Sequence, residues 1–338
     1  MSSVQVFQAD ALAWLAANSA PQHTSAITSL PDQHELPQLS LPEWRTWFVD
    51  AARAVLRFLP HDGTAIFYQR DVRRDEVWID KSQLLLGAAA AEGFELVWHK
   101  IVCRTAPGTA ARAARPGYSH LLCMQREVRA PRKPLPDVLT DAGPSVWPRG
   151  MGLRACQLAC DHLRNETPTK CVIDPFCGRG SALAVAAALG FDVIGVELHV
   201  RRSRATRALL TRSLATLAAV QRGAALFDGG DFFEAHEAWE ERWRQAHDQD
   251  ERLGLQGLIQ VTAAFHKWFV MNSPESAQRL LARGTNKLEA CAWLPGIALD
   301  ELLAGLRACA EAMASAQLTR EHVPPLLKLG AASGTETA

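Results

Sequence analysis

Residues 170–198 read KCVIDPFCGRGSALAVAAALGFDVIGVEL, and the architecture can be read outward from them. An apolar run ends at Asp174, a loop with two glycines follows, an alanine-rich stretch comes next, and a second apolar run ends at Glu197. Strand, turn, helix, strand is a βαβ unit. The last residue of such a strand faces the crevice in which open α/β sheets take their ligands. Gly178 and Gly180 let the backbone pass close beneath a ligand. Ser181 opens a helix whose N-terminal amides suit a carboxylate. Glu197 is placed for a bidentate bond to ribose hydroxyls. The spacing is not GxGxxG and no GK[ST] follows, which disfavours NAD and ATP. A Rossmann-like turn for another nucleotide is the plain alternative.

Outward from this unit the alternation continues toward the N-terminus. Strands are expected over 3–9, 25–30, 64–68, 94–103 and 119–126, and helices over 41–59, 81–92 and 152–164. In LPEWRTWFVDAARAVLRFL (41–59), Trp44, Trp47, Phe48, Ala51, Val55 and Phe58 fall near helical spacing. A proline-rich segment at 129–149 lacks periodicity and is expected to be a linker or mobile loop. A basic helix is expected over 201–218. The whole predicts a doubly wound Rossmann-like α/β domain over 1–218. From 222 strand patterns stop, and four helical stretches predict an all-α bundle over 222–325, with a disordered tail at 326–338.

The chain has 338 residues with 36 basic and 36 acidic side chains, so net charge announces no partner. Eight scattered cysteines make no CxxC pair, which argues against a zinc ribbon. Cys156 and Cys160, four apart, suit two small core residues. No basic n-region precedes an apolar run at the N-terminus, and no stretch is long enough to span a bilayer. A cytoplasmic protein with reduced thiols and no membrane contact is expected.

DPFCGxGS followed by a strand ending VEL resembles motifs I and II of the amino-methyltransferases that modify adenine or cytosine. The order of the motifs resembles the circularly permuted β group of that family. QADALAWL (8–15) resembles the adenine-contacting motif, with Asp10 as the match. AITSLPD (26–32) sits where the family has TSPPY. VLRFLPHDGTAIFY, GFELVWHKIV and WPRGMGLRACQLACDHL fit the later segments. The resemblance covers about 1–215. It implies a seven-stranded methyltransferase sheet and S-adenosyl-L-methionine as cofactor. Asp10, Asp174, Pro175, Phe176, Cys177, Gly178, Gly180, Ser181 and Glu197 would hold it, and Cys177 belongs to the motif rather than acting as a nucleophile.

The catalytic tetrapeptide departs from the family's [Asp/Asn/Ser]-Pro-Pro-aromatic. Here it is Ser29-Leu30-Pro31-Asp32, and the ring that would stack on a flipped base is replaced by an acid. Three readings stay open. Asp32 accepts a proton from a ring nitrogen or hydroxyl of a different target. An exocyclic amine is still the target, with stacking supplied by Tyr68, Trp78 or Trp98. Or catalysis is lost and the domain is a nucleic-acid-binding scaffold. Lys81, His99 and Lys100 near element ends are further substrate-contact candidates, set against a plain reading as solvated or capping residues.

Basic residues cluster between 100 and 133, including Lys100, Arg104, Arg112 and Arg115, and again at 201–212. A flexible basic loop over about 104–133 suits a polynucleotide. With no separate duplex-reading domain, RNA and foremost tRNA is the expected substrate, and a DNA adenine or cytosine amine methyltransferase is the alternative.

GAALFDGGDFFEAHEAWEERWRQA and LQGLIQVTAAFHKW resemble the helical family known as domain of unknown function 309, over about 222–320. His236, Glu240 and His266 are weak metal candidates against the plain reading of a hydrogen-bonded network in a bundle. The bundle is expected to orient substrate or to mediate a homodimer.

Overall fold

The computed structural model describes residues 3–74, 76–110, 115–128, 131–132, 135–143, 145, 150–291 and 293–326. The chain divides into two compact units, Met1–Thr211 and Arg212–Ala338.

The first unit begins with β1 (Val4–Gln8), α1 (Ala11–Ala17), β2 (Thr24–Thr28), α2 (Leu41–Phe58) and β3 (Thr64–Gln69). A short hairpin, β4 (Val72–Arg74) and β5 (Val77–Ile79), then leads to α3 (Lys81–Ala91), β6 (Glu95–Cys103) and β7 (Tyr118–Gln125). The unit continues with β8 (Val138–Leu139), α4 (Leu153–Glu166), β9 (Cys171–Asp174), α5 (Ser181–Ala188) and β10 (Asp192–Glu197). The sheet order is β1-β10-β9-β2-β3-β7-β6-β8. Pairing is parallel from β1 through β3, and β7 runs antiparallel to both β3 and β6.

α2 forms as its pattern requires. Ser40 and Glu43 make a capping box, and the stripe Trp44, Phe48, Ala51, Val55 is buried in the core shared by α1, α2, α3 and the sheet. Cys171 and Ile173 of β9 belong to that core, so the buried Val172 between them points to the other face, where α5 packs. The crossover through α5 carries the chain from β9 to β10, whereas the crossover through α2 carries it from β2 to β3, in the opposite direction along the sheet. β9 and β2 therefore flank a topological switch point, the place where such sheets bind ligands.

Three elements depart from expectation. Among the described residues the implied seven-stranded sheet has eight strands, because Val138–Leu139, within the expected linker, pairs in parallel with Ile101–Val102 of β6. The β4–β5 hairpin was not anticipated, since strands of three residues are too short to show a period. The basic helix does not end at 218: α6 runs Val200–Asp228 without a break.

The second unit holds the rest of α6 with α7 (Phe232–Gln245), α8 (Gln249–Phe269), α9 (Pro274–Ala290) and α10 (Leu299–Ala314). Trp239, Leu255, Phe265 and Leu306 are fully buried in its core. α8 and α9 cross closely, so a β-carbon at Gly284 would lie 2.9 Å from both Gly257 O and Val261 N. Gly284→Val should therefore destabilise this unit by about 1–3 kcal/mol or more, since backbone atoms cannot yield as a side-chain tip can. A melting temperature unchanged in this variant would show that the helices separate easily. Among the described residues no helix is long and apolar enough to cross a membrane.

Candidate active site

One cavity lies at the carboxyl ends of β1, β10, β9 and β2. Its lining includes Asp10, Ser29, Leu30, Pro31, Asp174, Pro175, Phe176, Cys177, Gly178, Ser181 and Glu197. Every residue expected to hold a cofactor lines it except Gly180, which shapes the loop from beneath. Gly178 and Gly180 have φ of 56° and 78°, the left-handed region. A β-carbon on Gly180 would also meet Thr206 Cγ2 at 2.5 Å. Thr206 Oγ1 in turn donates to Gly178 O at 2.9 Å and holds the loop shut.

Charge in the cavity is set by burial. Asp174 accepts from Thr28 Oγ1 at 2.6 Å and from the Phe176 amide at 3.1 Å. Burial nevertheless pushes its carboxyl up to about 7, against those two bonds and with help from the nearby Glu197 charge. Glu197 is held by the His199 amide, which donates to Oε1 at 2.8 Å. Ser181 Oγ is buried and has no hydrogen-bond partner among the described residues. A polar atom orphaned in a cavity wall is costly unless a ligand satisfies it. This atom, two acids, and the amides opening α5 are a donor and acceptor set that fits a nucleoside bearing an amino acid. Burial also raises the Cys177 thiol far above its ordinary range, so it is no thiolate nucleophile.

The tetrapeptide stands at the rim, braced from behind. Gln69 Nε2 donates to Leu30 O at 3.2 Å, and Trp44 Nε1 donates to Pro31 O at 3.2 Å. Asp32 does not line the cavity. Lys81 Nζ is in contact with its Oδ1, and Arg115 donates to its Oδ2 at 3.0 Å. Burial, and then the nearby Arg115 charge, bring the Lys81 ammonium down to about 7. Lys81 is only 1% exposed and lies 5.7 Å from the Trp44 ring centre. No pattern in the sequence signalled that Lys81 and Asp32, forty-nine residues apart, would pair.

Other expected substrate contacts are engaged inside the protein. The Tyr68 ring is buried and its hydroxyl accepts from Arg104, which also donates to Gly150 O on the cavity rim. Lys100 is buried and donates to Leu135 O and Asp137 Oδ1, fastening the strand that pairs as β8. Trp98 is buried edge-on against His162, whereas Trp78 on the β4–β5 hairpin is 46% exposed. Of the three rings offered for stacking, only Trp78 presents an open face. His99 contacts His120 across β6 and β7. Arg112 lies outside the described residues, as does the expected tail beyond 326. In the helical unit His236 gathers with Glu237 and Glu240, while His266 packs on the Phe233 ring instead.

Comparison with known proteins matches both resemblances. The family described as Domain of unknown function (DUF309) matches residues 220–280. The chain is 28% identical over 184 residues to YubD of Escherichia coli (strain K12), a candidate methylase, spanning 53% of this chain and 74% of YubD. TTHA0409 of Thermus thermophilus, described as a candidate DNA modification methylase, aligns at 20% identity and a TM-score of 0.49, over 63% of this chain and 96% of its own. The cytosine-N4-specific PvuII DNA methyltransferase aligns at 15% identity and a TM-score of 0.50, over 64% of this chain and 94% of its own. The α/β fold is thus of the type seen in the PvuII enzyme, and the segment 220–280 that follows it matches DUF309.

Proposed function

We propose that the N-terminal unit is an S-adenosylmethionine-dependent methyltransferase acting on a nucleic-acid base. The observation that carries this reading is a cavity at the switch point, lined by Asp174 and Glu197, the Ser181 hydroxyl, which has no partner among the described residues, and the start of the Ser-Leu-Pro-Asp segment. Glu197 takes the ribose hydroxyls, Asp10 the adenine side, and Asp174 with the α5 amides the amino-acid end. S-adenosylmethionine supplies an electrophilic methyl group when bound. The chain's own contribution is orientation and proximity: Ser29 and the braced turn after it position the acceptor beside that cavity. Asp32, with both oxygens taken by cations, serves as a polar wall with Lys81 and Arg115 in the place of the stacking ring.

The polymer proposed first is DNA, on which the PvuII enzyme acts by its name; YubD, the relative found by sequence, is described only as a methylase. The second reading, tRNA, rests on the missing ring and the basic loop between β6 and β7. The helical unit is assigned to substrate orientation or self-association, its exposed Phe233, Val270 and Met271 offering apolar contact.

Incubation of the full chain with methyl-labelled S-adenosylmethionine and either unmethylated genomic DNA or tRNA, followed by nucleoside mass spectrometry, tests both. Label in a DNA base is expected. Label only in tRNA would reverse the polymer, and no binding of the cofactor by calorimetry would remove the enzyme reading. Asp32→Asn should leave cofactor affinity unchanged and lower turnover about 10- to 100-fold by loosening the wall. Full turnover in that variant would take Asp32 out of the acceptor site.

A further inference from the structure

Beside the acceptor rim lies a cluster that the proposed chemistry does not use. Asp71 follows β3 and directly precedes β4, while Asp80 directly follows β5, so the two carboxylates close the base of the hairpin. His120 reaches them from β7, whose register sets it opposite Gln69. One ligand atom from each of the three lies within 4.8 Å of the others. Asp71 is 2% exposed and His120 6%, whereas Asp80 is open to solvent. We propose that Asp71, Asp80 and His120 bind a divalent first-row transition ion, zinc being the best match to one imidazole and two carboxylates.

Four features carry this. The imidazole Nε2 of His120 lies 3.0 Å from Asp71 Oδ2, close to the roughly 3.3 Å separating two ligands at about 2.0–2.1 Å from a tetrahedral ion. The remaining polar atoms are already oriented as metal ligands require. His120 Nδ1 faces His99 Nε2 at 2.9 Å, which fixes the ring and leaves Nε2 for the ion. Asp71 Oδ1 accepts the Lys81 amide at 2.9 Å, and Trp78 Nε1 donates to Oδ2 at 3.2 Å. Asp80 accepts from Ser82 and Gln83 through Oδ1, which leaves Oδ2 to turn toward an ion. Three protein ligands and an exposed side leave a fourth position for water. Bound there, the ion replaces the Asp71–His120 hydrogen bond. It also ties the hairpin that carries exposed Trp78 to the central sheet, one residue from Lys81.

The test is zinc titration of the chelator-treated full chain by calorimetry and by thermal melting, with magnesium as the comparison ion. One equivalent of zinc should bind and raise the melting temperature, and excess magnesium should not displace it. Asp80→Asn, at an exposed position that leaves the fold intact, should weaken zinc at least about tenfold, and His120→Gln at least as much. Glu240→Gln, in the helical unit, should leave binding unchanged. Failure of the parent chain to bind zinc would overturn the proposal, as would parent-like affinity in Asp80→Asn or loss of binding in Glu240→Gln alone. None of these outcomes depends on methyltransferase activity.

Discussion

Glu197→Gln is expected to bind S-adenosylmethionine about 10²- to 10⁴-fold more weakly than the parent chain. Glu197 ends β10 with 6% of its surface exposed, and the His199 amide fixes one of its oxygens. Two hydroxyls donating to a carboxylate contribute about 1.5–3 kcal/mol each, or about 3–6 kcal/mol together. Glutamine keeps the shape and can still accept from His199, so the melting temperature of the free protein should hardly move. It loses the charge and turns one acceptor into a donor facing a donor. Calorimetry of both proteins measures the difference. A change under about threefold would mean that the sugar is held elsewhere, and with it the assignment of the cavity would fall.

Asp174→Asn should separate stability from binding. In the folded chain burial holds the Asp174 carboxyl up at about 7, compared with an ordinary value of 3.8. Between those values the folded state keeps a proton that the unfolded state has released. Stability from this group is therefore highest in acid and falls as pH rises toward 7, by at most about 1.4 kcal/mol per pH unit. Asparagine cannot ionise and still accepts from Thr28, so the variant should lose that decline and be the more stable protein at pH 8 without cofactor. It should also lose most affinity for S-adenosylmethionine, whose positive charge favours the ionised acid. In the parent that affinity should weaken as pH drops below 7. Denaturant melts of both proteins between pH 5 and 8.5 decide the point: parallel curves would show that Asp174 is ionised throughout that range.

Much of the framework around the cavity was legible because its signals are local. The βαβ unit at 170–198 is written in contiguous apolar runs and two glycines, and α2 in an apolar stripe at helical spacing. Both follow from backbone geometry over a few turns. The three-residue strands of the hairpin and the two-residue β8 carry no period, so only their pairing partners reveal them. Tyr68 and Lys100 look like accessible site residues in the chain. Their burial is a product of where β3, β6 and β7 meet.

Residue order alone settled the strand and helix alternation, the permuted motif order and the cofactor loop. The alternation and the loop depend on neighbours close along the chain, and the motif order is read directly from the sequence. The assembled fold was needed for Thr28 and Thr206 to brace that loop, for Lys81 and Arg115 to claim Asp32, and for His120 to meet Asp71. Apart from the Thr206–Gly178 bond, 28 residues apart, those contacts join residues at least 49 apart in the chain. Their energies arise when packing removes water from both partners at once, an event that no local pattern encodes.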